Sequence, residues 1–250
     1  MEVTSIILFA LIVFIGSYVQ AVAGFAMGMI LVAVIGGLRL MDVPTLTAVV
    51  SLMTMLNVYI ALRGQTHLIH KHLFKWLAIG QVPAIFFGFQ LMHWLDGNTR
   101  WLLELALGLF ITIGGLSMYL RPHPWSQVTP RLGTLGVGVT GGLVGGMFSA
   151  SGPVLGWFGY NQPLGVPVIR ATLLACFALT TGTRTVFVGA TGGLTESVLI
   201  YAASGLPIVV AGTWLGRHVP PPVTEEAIKK FAYWLLIVMG GWILFRLLLG

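Results

Sequence analysis

The chain has 250 residues, 57% hydrophobic and only 8% charged, with a mean hydropathy of +0.94. A soluble domain carries about 25% charged residues, so a water-exposed globular surface is excluded, and the net charge of +6 reads as basic cytoplasmic loops rather than a nucleic-acid footprint. The single cysteine, Cys176, excludes an internal disulfide and a cysteine metal cluster.

Apolar stretches run over residues 3–37, 43–62, 73–94, 99–120, 132–165, 168–190, 196–217 and 227–249. They are long and do not alternate, so they are helices, the form that satisfies its own backbone inside a bilayer. The first begins at Val3 to Val19 without a basic start or cleavage site, and reads as a retained helix rather than a signal peptide. Six stretches suit one span each. Stretches 3–37 and 132–165 would each be about 50 Å long as straight helices, against a hydrocarbon core of about 30 Å. Both contain a small-residue break: Gln20-Ala-Val-Ala-Gly24-Phe-Ala-Met-Gly28 in the first, and Gly145-Gly-Met-Phe-Ser149-Ala-Ser151-Gly152-Pro153 in the second. Each is expected to be a broken hairpin that enters and leaves on one side.

Charge supports this reading. With loop 63–75 inside, hairpins put Arg63, Lys71, Lys75, Arg121, Arg131, Arg170, Arg217, Lys229 and Lys230 on the inner side. Only Arg39, Arg100 and Arg246 are then outside, and Arg184 lies within a helix. Single spans would divide the bases evenly, which the positive-inside rule disfavours. Five membrane segments per half make the halves inverted. They match in order at an offset of about 125, and Pro83 with Gly88 recurs as Pro207 with Gly212. The expected fold is an all-α integral membrane domain over residues 1–250. It comprises two inverted repeats, 1–122 and 130–250, each a broken or re-entrant hairpin plus three transmembrane helices. Its expected location is a bacterial-type inner (plasma) membrane, crossed many times, with both termini outside. Secondary transporters share this architecture, with substrate held between the breaks.

A helix broken at membrane depth offers free N–H groups and a positive dipole end to an anion. The expected substrate-binding residues are therefore Gln20, Gly24 and Gly28 in the first break and Ser149, Ser151 and Gly152 in the second. The competing use of these small residues is close helix packing. Arg184 follows Thr180, Thr181 and Thr183 in an apolar helix with no obvious acidic partner. An intramembrane cation is costly and usually functional, which suits an anionic ligand; its alternative is snorkelling outward. Arg170, at the mouth of the same helix, gathers anions or anchors the helix inside. Asn57 lines the cavity or bridges helices. Trp157 and Tyr160 wall a pocket or anchor at the interface. His67, His70 and His72 form a basic loop rather than a metal site, since nearby acids are missing.

The segments Ala23-Gly24-Phe25-Ala26-Met27-Gly28 and Gly145-Gly146-Met147-Phe148-Ser149-Ala150-Ser151-Gly152-Pro153, with Arg170-Ala171-Thr172 following, resemble those of sulfite exporter TauE/SafE-like permeases. The resemblance spans the chain and implies transport of sulfite, organosulfonates or related small anions. Ala26, Met27, Ser149 and Ser151 stand where the family is expected to carry glycine. Two other readings are an intramembrane serine protease using Ser151 and an anion channel. The protease needs a base within reach at membrane depth, and all six histidines fall in loops or near helix ends. No cofactor is implied. The partners expected are the small anion and the lipid bilayer. Outward movement of an anion is driven by the membrane potential alone, proton-coupled uptake stays open, and oligomeric state is not legible.

Overall fold

The computed structural model describes residues 3–120, 125–219 and 224–249. Arg121 and the side chain of Lys229 lie outside the described residues, as does the boundary of repeat one at 122. Ten helices form among the described residues: α1 (Val3–Ala23), α2 (Met27–Leu31), α3 (Val43–Leu62), α4 (Lys71–Asn98), α5 (Arg100–Tyr119), α6 (Arg131–Phe148), α7 (Gly152–Tyr160), α8 (Val166–Ala190), α9 (Glu196–His218) and α10 (Glu225–Leu248). The π-helical turn Val32–Gly36 extends α2. Six helices are long and apolar enough to cross a membrane, and Ile7–Ala23 and Met27–Gly36 are shorter apolar pieces. This is an all-α integral membrane fold. Exposed Phe87, Trp94, Trp101, Trp214, Trp234 and Trp242 would be an aggregation surface in water; in a bilayer they face lipid and its interface.

Local chemistry sets the helix starts. Asp42 accepts the Thr45 N–H at 2.9 Å, with Pro44 in the first turn of α3. His70 Nδ1 accepts the Leu73 N–H of α4, and Thr195 and Thr224 cap α9 and α10. Thus His70 is a helix cap. Its ring stands edge-on to His72, with centroids 6.5 Å apart.

Each long stretch doubles back. A Cβ on Gly16 would lie 2.7 Å from Leu31, and one on Gly141 2.8 Å from Leu155. These contacts across the two breaks sit at the same repeat offset of about 125 read from the sequence. The folded-back segments are hairpins, not kinked single spans.

Glycines let neighbouring backbones touch, and their contacts report helix direction. In α6, Gly138, Gly142 and Gly146 abut Leu77, Gln81 and Ile85 of α4, so these helices are parallel. Gly212 and Gly216 of α9 abut Ser17 and Ala21 of α1, again parallel. Met53 meets Gly205, and Asn57 bonds Thr213, so α3 runs with α9. Gln81 bonds Thr180 and Phe89 meets Phe187, so α8 runs with α4. Gly108 meets Leu244 and Gly115 meets Ile237, so α5 and α10 are antiparallel. The short connection from α3 to α4 reverses the chain. Hence α1, α3 and α9 point one way and α4, α6 and α8 the other, so the second half runs opposite to the first.

Arg39, Arg100 and Arg246 converge on one carboxylate. Glu104 lies 2.6 Å from Arg39, 3.4 Å from Arg246 and 3.8 Å from Arg100. They therefore share one face of the bundle. Arg246 also donates to the Gly37 carbonyl at 2.8 Å, fastening α10 to the end of the first hairpin.

Candidate functional site

The two hairpin tips reach past one another and meet. Break one is Gly24-Phe25-Ala26, where Gly24 has φ +79° and Ala26 φ +101°. A Cβ on Gly24 would strike the Arg170 side chain at 2.7 Å, so close approach and left-handed backbone both demand glycine there. The stem of Arg170 thus lies against the first tip. Tyr160 donates to the Ala23 carbonyl at 2.7 Å, satisfying an orphan acceptor at the end of α1. Trp157 is exposed and stands edge-on to Trp125.

Break two is Ser149-Ala150-Ser151, with Ser149 at φ +54°. It is shorter than the glycine-rich run suggests. Gly142, Gly145 and Gly146 remain helical: Gly142 and Gly146 pack on the α4 backbone, and Gly145 against Thr180 and Ser151. The tips are in van der Waals contact. A Cβ on Gly28 would lie 2.6 Å from the Ser149 carbonyl oxygen, and one on Gly152 3.1 Å from Met29.

A cavity of about 20 Å³ lies between them, room for about one water. Gln20, Gly28, Ser149, Ser151 and Gly152 line it together with Thr54 of α3 and Phe177, Thr180 and Thr181 of α8. Among the described residues no ionisable side chain does. Three of its buried polar groups have no hydrogen-bond partner: Gln20 Nε2, Thr54 Oγ1 and Ser151 Oγ. The orientation of Gln20 is fixed, because its Oε1 accepts the Met27 N–H at 2.9 Å, which turns its Nε2 donor away from that backbone. Ser151 precedes α7 without capping it, so the first N–H groups of α7 lack intrahelical acceptors. Three unpartnered donor-bearing groups from three elements therefore converge on one small space. Buried polar groups are almost always paired, so this concentration makes the space the candidate binding cradle.

Arg184 is fully buried beside this cavity rather than in it. Its Nε donates to the Gly146 carbonyl at 2.9 Å. Its Nη1 donates to the Thr47 carbonyl at 2.6 Å and to Ser51 Oγ at 2.9 Å, and its Nη2 to Thr47 Oγ1 at 2.6 Å. Ser51 in turn shares a 2.8 Å hydrogen bond with Ser149. The guanidinium therefore reaches the second tip through one serine, and none of these partners is a carboxylate. Asn57 lies apart. Its amide nitrogen donates to the Ser17 carbonyl at 3.1 Å and Thr213 Oγ1 at 2.6 Å, bridging α1, α3 and α9. Asn57→Ala is expected to cost about 1–2 kcal/mol, seen as a lower melting temperature in detergent, with anion affinity unchanged.

Thr54, Phe177, Thr180 and Thr181 were not among the residues expected from sequence. Thr54 and Thr180 are separated by 126 residues, close to the repeat offset, and that correspondence is the signal that would have found them.

The family model for "Sulfite exporter TauE/SafE" matches residues 8–243. The chain belongs to the sulfite exporter TauE/SafE family. A relative from Cupriavidus necator, described as "Probable sulfite/organosulfonate exporter TauE", is 40% identical over 227 residues, covering 90% of this chain and 88% of the relative. No solved structure matches. The TauE/SafE family is one of membrane transporters of sulfur anions, not of enzymes, so the protease reading of Ser151 falls away.

Proposed function

We propose that this chain exports sulfite or an organosulfonate, bound head-first between the two hairpin tips. The observation that carries the reading is the set of three unpartnered polar groups, Gln20 Nε2, Thr54 Oγ1 and Ser151 Oγ, facing one cavity. Their number matches the three oxygens of a sulfite or sulfonate head. The first-turn N–H groups of α7 add a positive dipole end. Arg184 supplies an uncompensated charge one serine away, and Phe177 and Met29 offer an apolar wall for an organic substituent. Gly24 and Arg170 hold the first tip and Ser149 the second, so these residues position the cradle. The transport unit is the whole chain, repeat one over 1–122 and repeat two over 130–250.

A cavity with room for one water does not admit a sulfonate, so loading requires the tips to part. The two hairpins come from opposite faces, and separating either opens the cavity to one side only, as alternating access requires. Loop 63–75, with Arg63, Lys71 and Lys75, faces the cytoplasm. The termini then lie outside an inner membrane, and the inside-negative potential drives the anion outward without a coupling ion.

The test is anion flux from proteoliposomes of purified protein, comparing sulfite, taurine, sulfoacetate and thiosulfate with acetate. Sulfur oxyanions are expected to move and to compete with one another, and acetate to do neither. Equal acetate flux would remove the three-oxygen cradle as the basis of selection.

A further inference from the structure

Beyond the tip cavity, Arg184 borders a second space. A vestibule of about 130 Å³ lies between the start of α3, the end of α4, the end of α8 and loop 191–195. It is graded in depth. Exposed Thr191, Thr195 and His93 stand at its mouth, Ala48, Phe89 and Val188 form buried walls, and Arg184 is at the floor. Among the described residues that line it Arg184 is the one permanent cation, and none is a carboxylate. Two acids lie within two residues of its lining in sequence: Glu196, after Thr195, is exposed at the start of α9, and Asp42, before Pro44, has its carboxylate engaged by the Thr45 N–H.

The bonds of Arg184 are complete but electrically unbalanced. Each of its five N–H groups meets an acceptor, all of them neutral, and the last is the weak Met92 sulfur at 3.8 Å. A buried charge satisfied only by neutral acceptors lacks the counter-ion that normally offsets its desolvation. An oxyanion in the vestibule would supply that counter-charge. The same guanidinium holds the second tip, directly at the Gly146 carbonyl and through Ser51 at Ser149.

We propose that this vestibule is a second oxyanion site, on the face opposite loop 63–75, and that its occupation draws the Nη groups of Arg184 away from Thr47 and Ser51. Losing the Arg184–Ser51 bond loosens the Ser51–Ser149 link and lets the second tip move. The anion leaving the central cavity thereby unlatches its own exit. The inference rests on the transport reading above for its direction, but the site itself stands on the vestibule and its cation.

The test uses full-length protein in proteoliposomes, in a Cys176→Ala background, with methanesulfonate as probe because sulfite consumes thiol reagents. Thr45→Cys places a thiol on the vestibule wall, and Asn98→Cys places one on the same face outside it. Methanesulfonate is expected to slow modification of the Thr45→Cys thiol at least threefold, to leave the Asn98→Cys thiol unaffected, and to lose its protective effect when Arg184→Gln is added. Absence of protection at concentrations that saturate flux overturns the second site while leaving the central one standing. Absence of flux with protection intact overturns the transport reading instead. Because Arg184→Gln removes four bonds to protein oxygens and can compromise folding, Thr45→Glu provides an independent arm. A fixed carboxylate there should hold Arg184 away from Ser51 throughout the cycle, so that the tips no longer close, and cut efflux about tenfold; unchanged efflux also overturns the proposal.

Discussion

Gly28→Val is expected to abolish measurable anion flux while the protein still inserts and purifies as a single species. The first carbon added at Gly28 falls 2.6 Å from the Ser149 carbonyl oxygen, with the Ala150 Cα at 3.5 Å. These are backbone atoms of the opposite tip, so no rotamer change relieves the clash. Valine adds two further carbons at the same point. Overpacking of this kind costs about 1–3 kcal/mol, small against a fold held by ten helices but concentrated in the one arrangement where the tips meet. A penalty near 3 kcal/mol lowers the population of that closed state roughly 150-fold, and every transport cycle must pass through it. Gly28→Ala should be intermediate. Gly136→Ala, on α6 where nothing lies within 4 Å of the added carbon, serves as the control and should transport normally. Wild-type flux from Gly28→Val would mean that the tips do not need to touch.

The hairpins were legible in the sequence because length alone forbids a single span over 3–37 or 132–165, and small residues mark where each turns. What the sequence blurred was the position of the second turn. Gly145 and Gly146 look like part of the break, yet with Gly142 they continue α6, since the missing side chain at Gly142 and Gly146 serves equally to admit an anion or to seat α6 on α4. That contact is with Gln81 and Ile85, some 61 residues away, and no local pattern announces it. Arg184 was conspicuous for the same reason the protein was recognisably membranous: charge is scarce. Its partners were not foreseeable, because Gly146, Thr47 and Ser51 lie 38 to 137 residues distant. The threonines of α8 carry no distinctive sequence signal. Membrane-helix hydroxyls usually bond the carbonyl one turn back, and Thr180 and Thr181 do bond Cys176 and Phe177. They reach the cavity as well, which requires knowing that Thr54 faces them.

Gln20→Glu should be the most informative substitution in the cradle. Gln20 Oε1 accepts the Met27 N–H, and a glutamate oxygen keeps that bond, so the first tip retains its shape. The unpartnered Nε2 donor is replaced by a second carboxylate oxygen facing the anion. Loss of a hydrogen bond to a charged ligand is worth about 1.5–3 kcal/mol, or roughly 10- to 150-fold in affinity. Repulsion between two anions in a buried site adds to that. Sulfonate affinity measured calorimetrically at neutral pH is therefore expected to fall by at least about 100-fold. The pH dependence has a definite sign. Protonating the introduced carboxyl removes the repulsion and restores an O–H donor, so affinity should recover as pH falls and vanish as it rises. Ser151→Ala removes a neutral hydroxyl only, and should cost roughly tenfold with no recovery at low pH. If both donors hold the same anion, the double variant should lose less than the sum of the two single effects, because the second change acts on a ligand already released from its cradle. Strict additivity, or a Gln20→Glu affinity that does not respond to pH, would separate Gln20 from the anion and leave Met27 as its only function.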